Sequence, residues 1–106
     1  MEVASKGASR EGGLVVGLLP SESKYEANQY VSVPIATGLG RMRNTMLVRA
    51  CDAIIMIGGG TGTLNEAILA YGRKPLVVLE GTGGWADRLR AIAKVGILPN
   101  NVQAVA

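Results

Sequence analysis

The stretch Ala53-Ile-Ile-Met-Ile-Gly-Gly-Gly-Thr-Gly-Thr-Leu-Asn-Glu66 joins an apolar run to a glycine-rich turn and a helical sequence. Every position from 53 to 57 is apolar, which predicts a strand buried on both faces, as in a parallel sheet. Glycine occupies positions 58, 59, 60 and 62. After this turn the pattern predicts a helix from Thr63 to Gly72, because Leu64, Ile68 and Tyr71 fall on one face and Gly72 can end it. The stretch is typical of a strand–turn–helix unit.

The same reasoning applied outward gives alternating helices and strands. It predicts further helices over 1–11, 41–51 and 85–95, and further strands over 14–19, 30–37, 75–79 and 102–105. Pro34 makes 30–37 an edge strand or an extended segment, since proline cannot donate to a sheet ladder. Alternating strands and helices predict an α/β fold with a parallel sheet and right-handed crossovers. At 106 residues the chain is expected to form a single domain, 1–106.

The two ends of this pattern look incomplete. The chain opens inside a helix with no strand before it, and it ends on a strand with no covering helix. A parallel sheet needs both faces covered. We therefore expect the chain to be part of a longer protein or of an assembly that covers the exposed faces.

The glycine turn has the features of an anion-binding site. Glycines let the backbone approach a ligand closely, and the first amides of a helix point outward with roughly half a positive charge. Thr61 and Thr63 add hydroxyl donors. We therefore predict that residues 59 to 63 hold a phosphate group, through Gly59, Gly60, Thr61, Gly62 and Thr63. The alternative is a tight turn in which Thr61 or Thr63 caps the helix.

Composition excludes several other functions. The chain has no histidine and only one cysteine, Cys51, so it can form neither a His-dependent catalytic triad nor an internal disulfide, and no metal site is expected. The net charge of +3 is scattered and is not interleaved with aromatic residues, so no nucleic-acid partner is expected. No apolar run approaches the ~20 residues of a membrane span, and no leader is visible. We expect a cytoplasmic protein without a membrane partner.

Other nucleotide-binding motifs fit less well. No Gly-Lys-Ser/Thr follows the turn, so it is not a Walker A loop. A dinucleotide-binding turn stays open as an alternative, because Gly58 and Gly60 match its first two glycines. Thr63 stands at the third glycine, and Glu80 ends the next strand, where a ribose-binding acid would lie. Trp85 is either a packing residue or a platform on which a base stacks.

The chain resembles the LOG-type (LONELY GUY) phosphoribohydrolases, which were long misannotated as lysine decarboxylases. The resemblance rests on Arg43-Asn44, on Asp52-Ala53 and on the segment from Gly59 to Glu66. The segment 34–40, Pro-Ile-Ala-Thr-Gly-Leu-Gly, is closer to an uncharacterised prokaryotic branch, to which plant molybdenum cofactor carrier proteins are similar. The resemblance implies a Rossmann-like three-layer sandwich that forms homodimers or larger homo-oligomers. It would place the family's first strand before Met1 and leaves the last helix unmatched.

The resemblance also implies an activity and its residues. Family enzymes hydrolyse the N-glycosidic bond of nucleoside 5′-monophosphates to a base and ribose 5-phosphate, without a required cofactor. On this chain Arg43 and Glu66 match the catalytic pair, and no true lysine decarboxylase is expected. Gly58 replaces the family's proline and Asn44 its lysine. The alternative is a non-catalytic protein that binds or carries a nucleotide or a molybdopterin-type ligand.

Overall fold

The computed structural model describes residues 1–94 and 102–105, and the side-chain surroundings of residues 1–92. It contains two compact units, Met1–Arg43 and Asn44–Ala106. The last position of the helix predicted over 85–95 lies outside the described residues. The helices and strands otherwise follow the predicted order, and the parallel α/β fold class is confirmed.

The N-terminal unit holds one α-helix and two parallel strands: α1 (Glu2–Arg10), β1 (Val16–Leu19) and β2 (Val33–Ala36). The strands pair from Val16↔Val33 to Leu19↔Ala36. Two short 3₁₀ helices are also present. Lys24–Glu26 lies between the two strands, and Gly40–Met42 includes the first two residues of the helix predicted over 41–51, whose α-helical part begins at Arg43. A Cβ atom at Gly17 would lie 2.8 Å from Cγ1 of Val31, so glycine lets the chain before β2 pack closely against β1.

The C-terminal unit contains the glycine turn. Its elements are α2 (Arg43–Ala50, whose first residue belongs to the N-terminal unit), β3 (Ile54–Ile57), α3 (Thr61–Ala70), β4 (Leu76–Leu79), α4 (Gly84–Lys94) and β5 (Val102–Val105). The three strands are parallel in the order β3-β4-β5, with Ile54 level with Leu76 and Leu76 level with Val102.

The core of this unit lies on one face of its sheet. It is built by two strands and two helices: Met56, Leu76 and Val78 from β3 and β4, Ala67 from α3, and Ala86 and Leu89 from α4. The neighbouring residues of β3 point the other way, and Ile55 and Ile57 are 70% and 52% exposed. β3 is therefore apolar on both faces but covered on one, because side chains alternate across a strand. Coverage of the second face by an assembly remains a prediction.

Helix α3 begins two residues earlier than predicted. It starts at Thr61, with Gly60 as its N-cap, and the amide of Leu64 donates to the carbonyl oxygen of Gly60 at 3.1 Å. The alternative in which Thr61 or Thr63 caps the helix was wrong, since Gly60 is the N-cap and no side chain caps this end. The earlier start also moves Glu66 out of the first helical turn into the second.

Candidate phosphate-binding site

The glycine turn lies at the carboxyl end of β3, where open α/β sheets bind their ligands. Gly58 and Gly59 have φ angles of 53° and 92°, which favour glycine. A Cβ atom at Gly59 would also collide with the side chain of Thr63. The backbone itself therefore requires glycine at these two positions.

Gly60 and Gly62 are different, because the fold gives no reason for them to be glycine. Neither has a positive φ, and a Cβ atom at either position would meet nothing within 4 Å. Glycine within a helix, as at Gly62, costs roughly 0.5–1 kcal/mol relative to alanine. Bare backbone at an exposed helix start is what a ligand needs for close approach.

The carbonyl groups of the turn face helix α4. The amides of Trp85 and Ala86 donate to the carbonyl oxygens of Gly59 and Gly58 at 2.9 and 3.1 Å. In a trans peptide the N–H points opposite to the C=O, so the amides of Gly59 and Gly60 point away from α4. Across the described residues no acceptor lies within hydrogen-bond distance of the amides of residues 59 to 63. These donors are available to an anion, and the α3 dipole favours negative charge at this end.

A second glycine-rich loop, Gly81–Gly84, holds the turn in place. The hydroxyl of Thr82 accepts a 2.8 Å hydrogen bond from the amide of Gly58 and donates a 2.7 Å hydrogen bond to the carbonyl oxygen of Leu79. A Cβ atom at Gly84 would lie 2.9 Å from the amide nitrogen of Gly59. Only glycine at position 84 allows the two backbones to pack this closely.

The sequence pattern did not assign the 81–84 loop to the candidate site. The order of the loop comes from Asp87, whose carboxylate accepts hydrogen bonds from the amides of Gly81 at 2.8 Å and Gly83 at 2.9 Å. A signal was present in the sequence, since this loop and the glycine turn follow consecutive apolar strands. Neighbouring parallel strands end at the same sheet edge, so the two loops were bound to lie close together.

Glu66 is half-buried on the second turn of α3. No acidic residue occupies the first turn of α3, so Glu66 lies one turn away from the positive end of the helix dipole. Its distance from the turn is still short, because three residues of helix separate it from Thr63, a rise of about 4.5 Å. A catalytic role for Glu66 remains a prediction.

Asn65, the neighbour of Glu66, is joined to helix α2 by a hydrogen bond that the sequence did not reveal. The side-chain nitrogen of Asn44 donates to the side-chain oxygen of Asn65 at 3.0 Å, and Asn44 is only 4% exposed. The residue that replaces the family's lysine is thus a buried amide. This pair ties α2 to the start of α3 within the C-terminal unit.

Arg43 is the last residue of the N-terminal unit and is half-buried. Its guanidinium donates to the carbonyl oxygen of Leu18, near the carboxyl end of β1. The end of a parallel strand is a usual position for a ligand-binding side chain. That Arg43 acts together with Glu66 remains a prediction.

Two alternatives from the sequence are weakened by side-chain contacts. Glu80 forms an ion pair with Nε of Arg90, so its carboxylate is already engaged where a ribose-binding acid would have to be available. Trp85 packs against the core of the C-terminal unit, and the guanidinium of Arg88 lies 5.3 Å from the centre of its ring. These contacts fit a packing role for Trp85.

Neither a membrane span nor a metal-ligand cluster was found. Among residues 1–94 and 102–105, no helix is both long and apolar enough to cross a bilayer. In the same part of the chain, no three His, Cys, Asp or Glu residues lie close enough together to hold a metal ion.

Parallel strands, a glycine turn at the carboxyl end of β3 and a helix that starts within the turn define a Rossmann-like protein. The chain belongs to the SLOG cluster4 family, whose model matches residues 1–95. This match confirms part of the LOG-type resemblance carried by Arg43-Asn44 and the 59–66 segment, because it places the chain among SLOG proteins, while the narrower LOG-type assignment remains a proposal.

Similar proteins support the fold. An uncharacterised protein of Archaeoglobus fulgidus is 42% identical over 88 residues, which cover 76% of this chain and 58% of that protein. The crystal structure of a protein called TM1055 is similar over 97% of this chain and 62% of its own, with 42% identity and a TM-score of 0.84. A molybdenum cofactor binding protein from the phototrophic bacterium Rippkaea orientalis is similar over 100% of this chain and 63% of its own, with 35% identity and a TM-score of 0.81. The chain spans about three fifths of the length of each of these proteins.

Proposed function

We propose that this chain binds a small phosphorylated heterocyclic ligand, of the nucleotide or molybdopterin type, with its phosphate against residues 59 to 63. The observation that carries this proposal is the open backbone at Gly60 and Gly62, where the fold does not need glycine and where nothing occupies the Cβ positions. The neighbouring amides lack an acceptor in the described part of the chain. A phosphate dianion would satisfy several of them at once.

The proposed class of ligand is suggested by a similar protein of known structure. The similar protein from Rippkaea orientalis binds molybdenum cofactor. Molybdopterin and nucleoside monophosphates both carry a phosphate monoester at some distance from a heterocyclic ring system, so one set of backbone donors suits both. The turn fits the phosphate end of such a ligand, and no residue is assigned to the metal. For this chain, carrying or binding a ligand is therefore the function that the site supports best.

Hydrolysis of a nucleoside 5′-monophosphate is the second candidate, and the position of Glu66 favours it. Breaking an N-glycosidic bond places positive charge on the ribose, and a nearby carboxylate stabilises that charge or positions a water molecule. With the phosphate at the turn, the ribose would extend toward the next turn of α3, where Glu66 lies half-buried. Arg43 would supply a second charged contact to phosphate or carboxylate.

Both candidate functions require binding of a phosphorylated ligand, and this binding is measured first. Equilibrium binding of AMP, inorganic phosphate and adenosine is measured on the whole 106-residue chain. We expect AMP and phosphate to bind and adenosine to bind much more weakly. If AMP and phosphate both fail to bind a folded protein, the proposal is wrong.

The two candidates then differ in turnover. A carrier would copurify with a pterin, seen by its absorbance and fluorescence, or would bind AMP without releasing adenine. A hydrolase would release adenine and ribose 5-phosphate from AMP, and Glu66→Gln would abolish the release while AMP binding persists. Adenine release that survives Glu66→Gln would exclude the assigned carboxylate.

The exposed apolar face of β3 supports a further part of the proposal, self-association. Ile55 and Ile57 leave that face uncovered in the chain as described. Burial of such a surface is the usual driving force of association. We expect a homodimer or a larger homo-oligomer, which light scattering during size-exclusion chromatography would detect. A monomer at all concentrations tested would contradict this part.

A further inference from the structure

A cleft in the C-terminal unit lies well away from the glycine turn. It has a volume of about 420 Å³ and is lined by Thr45, Val48 and Arg49 of α2 and by Leu69, Arg73 and Lys74 around the end of α3. Small-molecule sites typically have roughly 300–1,000 Å³. Helix α3 begins at the glycine turn and ends at this cleft, so the two places lie at opposite ends of one helix, about 15 Å apart at 1.5 Å per residue.

The lining of the cleft combines apolar and cationic groups. Val48 is 3% exposed and Leu69 is half-buried, and together they form an apolar surface. Arg49, Arg73 and Lys74 supply the charged groups, and no carboxylate is among the described residues that line the cleft. Such a surface matches an organic anion that has an apolar body and a phosphate or carboxylate head.

A structural role is the obvious alternative, because cations often cap helix C-termini. Here three of the last four carbonyls of α2 have other partners. The carbonyl oxygen of Leu47 accepts from the amide of Cys51 at 3.2 Å, and that of Arg49 accepts from Nζ of Lys74 at 3.4 Å. The thiol of Cys51 lies 3.4 Å from the carbonyl oxygen of Val48.

The end of α3 is satisfied in the same way. The carbonyl oxygen of Ala70 accepts from the amides of Arg73 and Lys74 at 2.9 and 3.0 Å. These carbonyls are therefore satisfied without the guanidinium groups of Arg49 and Arg73. Within the part of the chain that the structure describes, neither guanidinium has an ion pair or a hydrogen bond.

Three carboxylates of this unit, Asp52, Glu80 and Asp87, do not compensate these charges. Glu80 is paired with Arg90, and Asp87 accepts two amides of its own loop. Asp52, three residues after Arg49, is exposed and forms no ion pair among the described residues. The rim of the cleft thus keeps its positive charge.

From these observations we propose that the cleft is a second ligand site, which binds a small organic anion through Arg49 and Arg73 while Val48 and Leu69 contact its apolar body. Guanidinium groups bind phosphate and carboxylate heads in a bidentate manner. The site is independent of the phosphate proposed at the glycine turn.

Backbone NMR of the ¹⁵N-labelled chain tests this, with phenyl phosphate as the probe. Amides of residues 45–49 and 69–74 report on the cleft, and amides of residues 59–63 report separately on the turn. We expect saturable shifts at the cleft with phenyl phosphate and also with benzoate, and none with uncharged phenol. Cleft amides that do not respond to either anion, or that respond equally to phenol, overturn the proposal.

Paired variants identify the groups responsible. In the double variant Arg49→Gln and Arg73→Gln, cleft binding should weaken by about tenfold or more, since two charge-assisted contacts are lost. The control, Arg10→Gln with Lys24→Gln, removes the same charge from exposed positions of the N-terminal unit and should keep its affinity.

Both arginines of the cleft are exposed, so we expect the folded spectrum to persist. Equal losses in the two double variants would overturn the proposal, because they would reveal a nonspecific charge effect. If the amide signals of residues 59–63 do not shift, this would count against the function proposed for the glycine turn alone. The cleft proposal would be unaffected.

Discussion

The backbone amide of Trp85 donates a 2.9 Å hydrogen bond to the carbonyl oxygen of Gly59. This bond joins the start of α4 to the middle of the glycine turn. It gives one of the first amides of α4 an acceptor in the turn, and it leaves the amides of the turn available to another partner. It also places the only tryptophan of the chain one hydrogen bond away from the proposed phosphate site.

We therefore expect the fluorescence of Trp85 to report ligand binding. Added AMP should change its intensity or emission maximum along a saturable curve, because a phosphate at the turn alters the field around a half-buried indole. Inorganic phosphate should compete with AMP, and adenosine should have little effect. A linear change with concentration, equal for AMP and adenosine, would mean nonspecific quenching.

A matched pair of glycine variants separates ligand binding from folding. Gly62→Ala should leave the free energy of unfolding unchanged or raise it by about 0.5–1 kcal/mol, since alanine favours the helix and a Cβ atom there meets nothing. The added methyl group should still weaken phosphate binding about tenfold or more, by blocking approach to the amides. Chemical denaturation and AMP titration measure the two effects.

Gly59→Ala is the contrasting variant. Its positive φ and the collision with the Thr63 side chain should lower the free energy of unfolding by about 1–3 kcal/mol. If Gly62→Ala binds AMP as well as the wild type does, close approach of a ligand to this backbone is excluded as the reason for glycine at position 62.

The hydrogen bond between Asn44 and Asn65 needs the side-chain oxygen of residue 65, so we expect loss of that oxygen to lower the free energy of unfolding. Asn65→Ala should destabilise the chain by about 1 kcal/mol, because it removes a hydrogen bond made by a buried amide. Asn65→Asp keeps an oxygen in place and should retain most of the stability. Thermal or urea unfolding checks both variants, and equal losses would show that the hydrogen bond is not what matters at this position.

Periodicity and turn chemistry predicted most of the fold. The apolar runs before Pro20 and Gly58 and after Lys74 were found as β1, β3 and β4, because a continuous apolar run is a strong local signal for a strand in a parallel sheet. The start of α3 was misplaced by two residues. Threonine is a common N-cap, but here glycine residues set the backbone path and the helix begins at the first threonine.

What the sequence could not supply were contacts between segments far apart along the chain. The Asn44–Asn65 hydrogen bond and the packing of Gly84 on Gly59 depend on how helices and loops meet in three dimensions, which no local pattern encodes. The candidate phosphate site was accessible to sequence reasoning for the opposite reason. All of its donors come from one continuous segment, 59–63, whose glycine content is visible at once.

The hydroxyl of Thr82 links the glycine turn to the end of β4. It accepts from the amide of Gly58 and donates to the carbonyl oxygen of Leu79. Thr82→Val keeps the shape but removes both hydrogen bonds, so we expect a loss of about 1–2 kcal/mol in the free energy of unfolding. AMP binding should weaken as well, since the turn loses its anchor.

Thr82→Ser is the control that keeps the hydroxyl. It should retain both hydrogen bonds and bind AMP nearly as the wild type does. Hydrogen exchange at the amide of Gly58 provides a local readout, and we expect faster exchange in Thr82→Val but not in Thr82→Ser. Weakened AMP binding in Thr82→Val with unchanged exchange at Gly58 would contradict the idea that Thr82 acts by holding the turn.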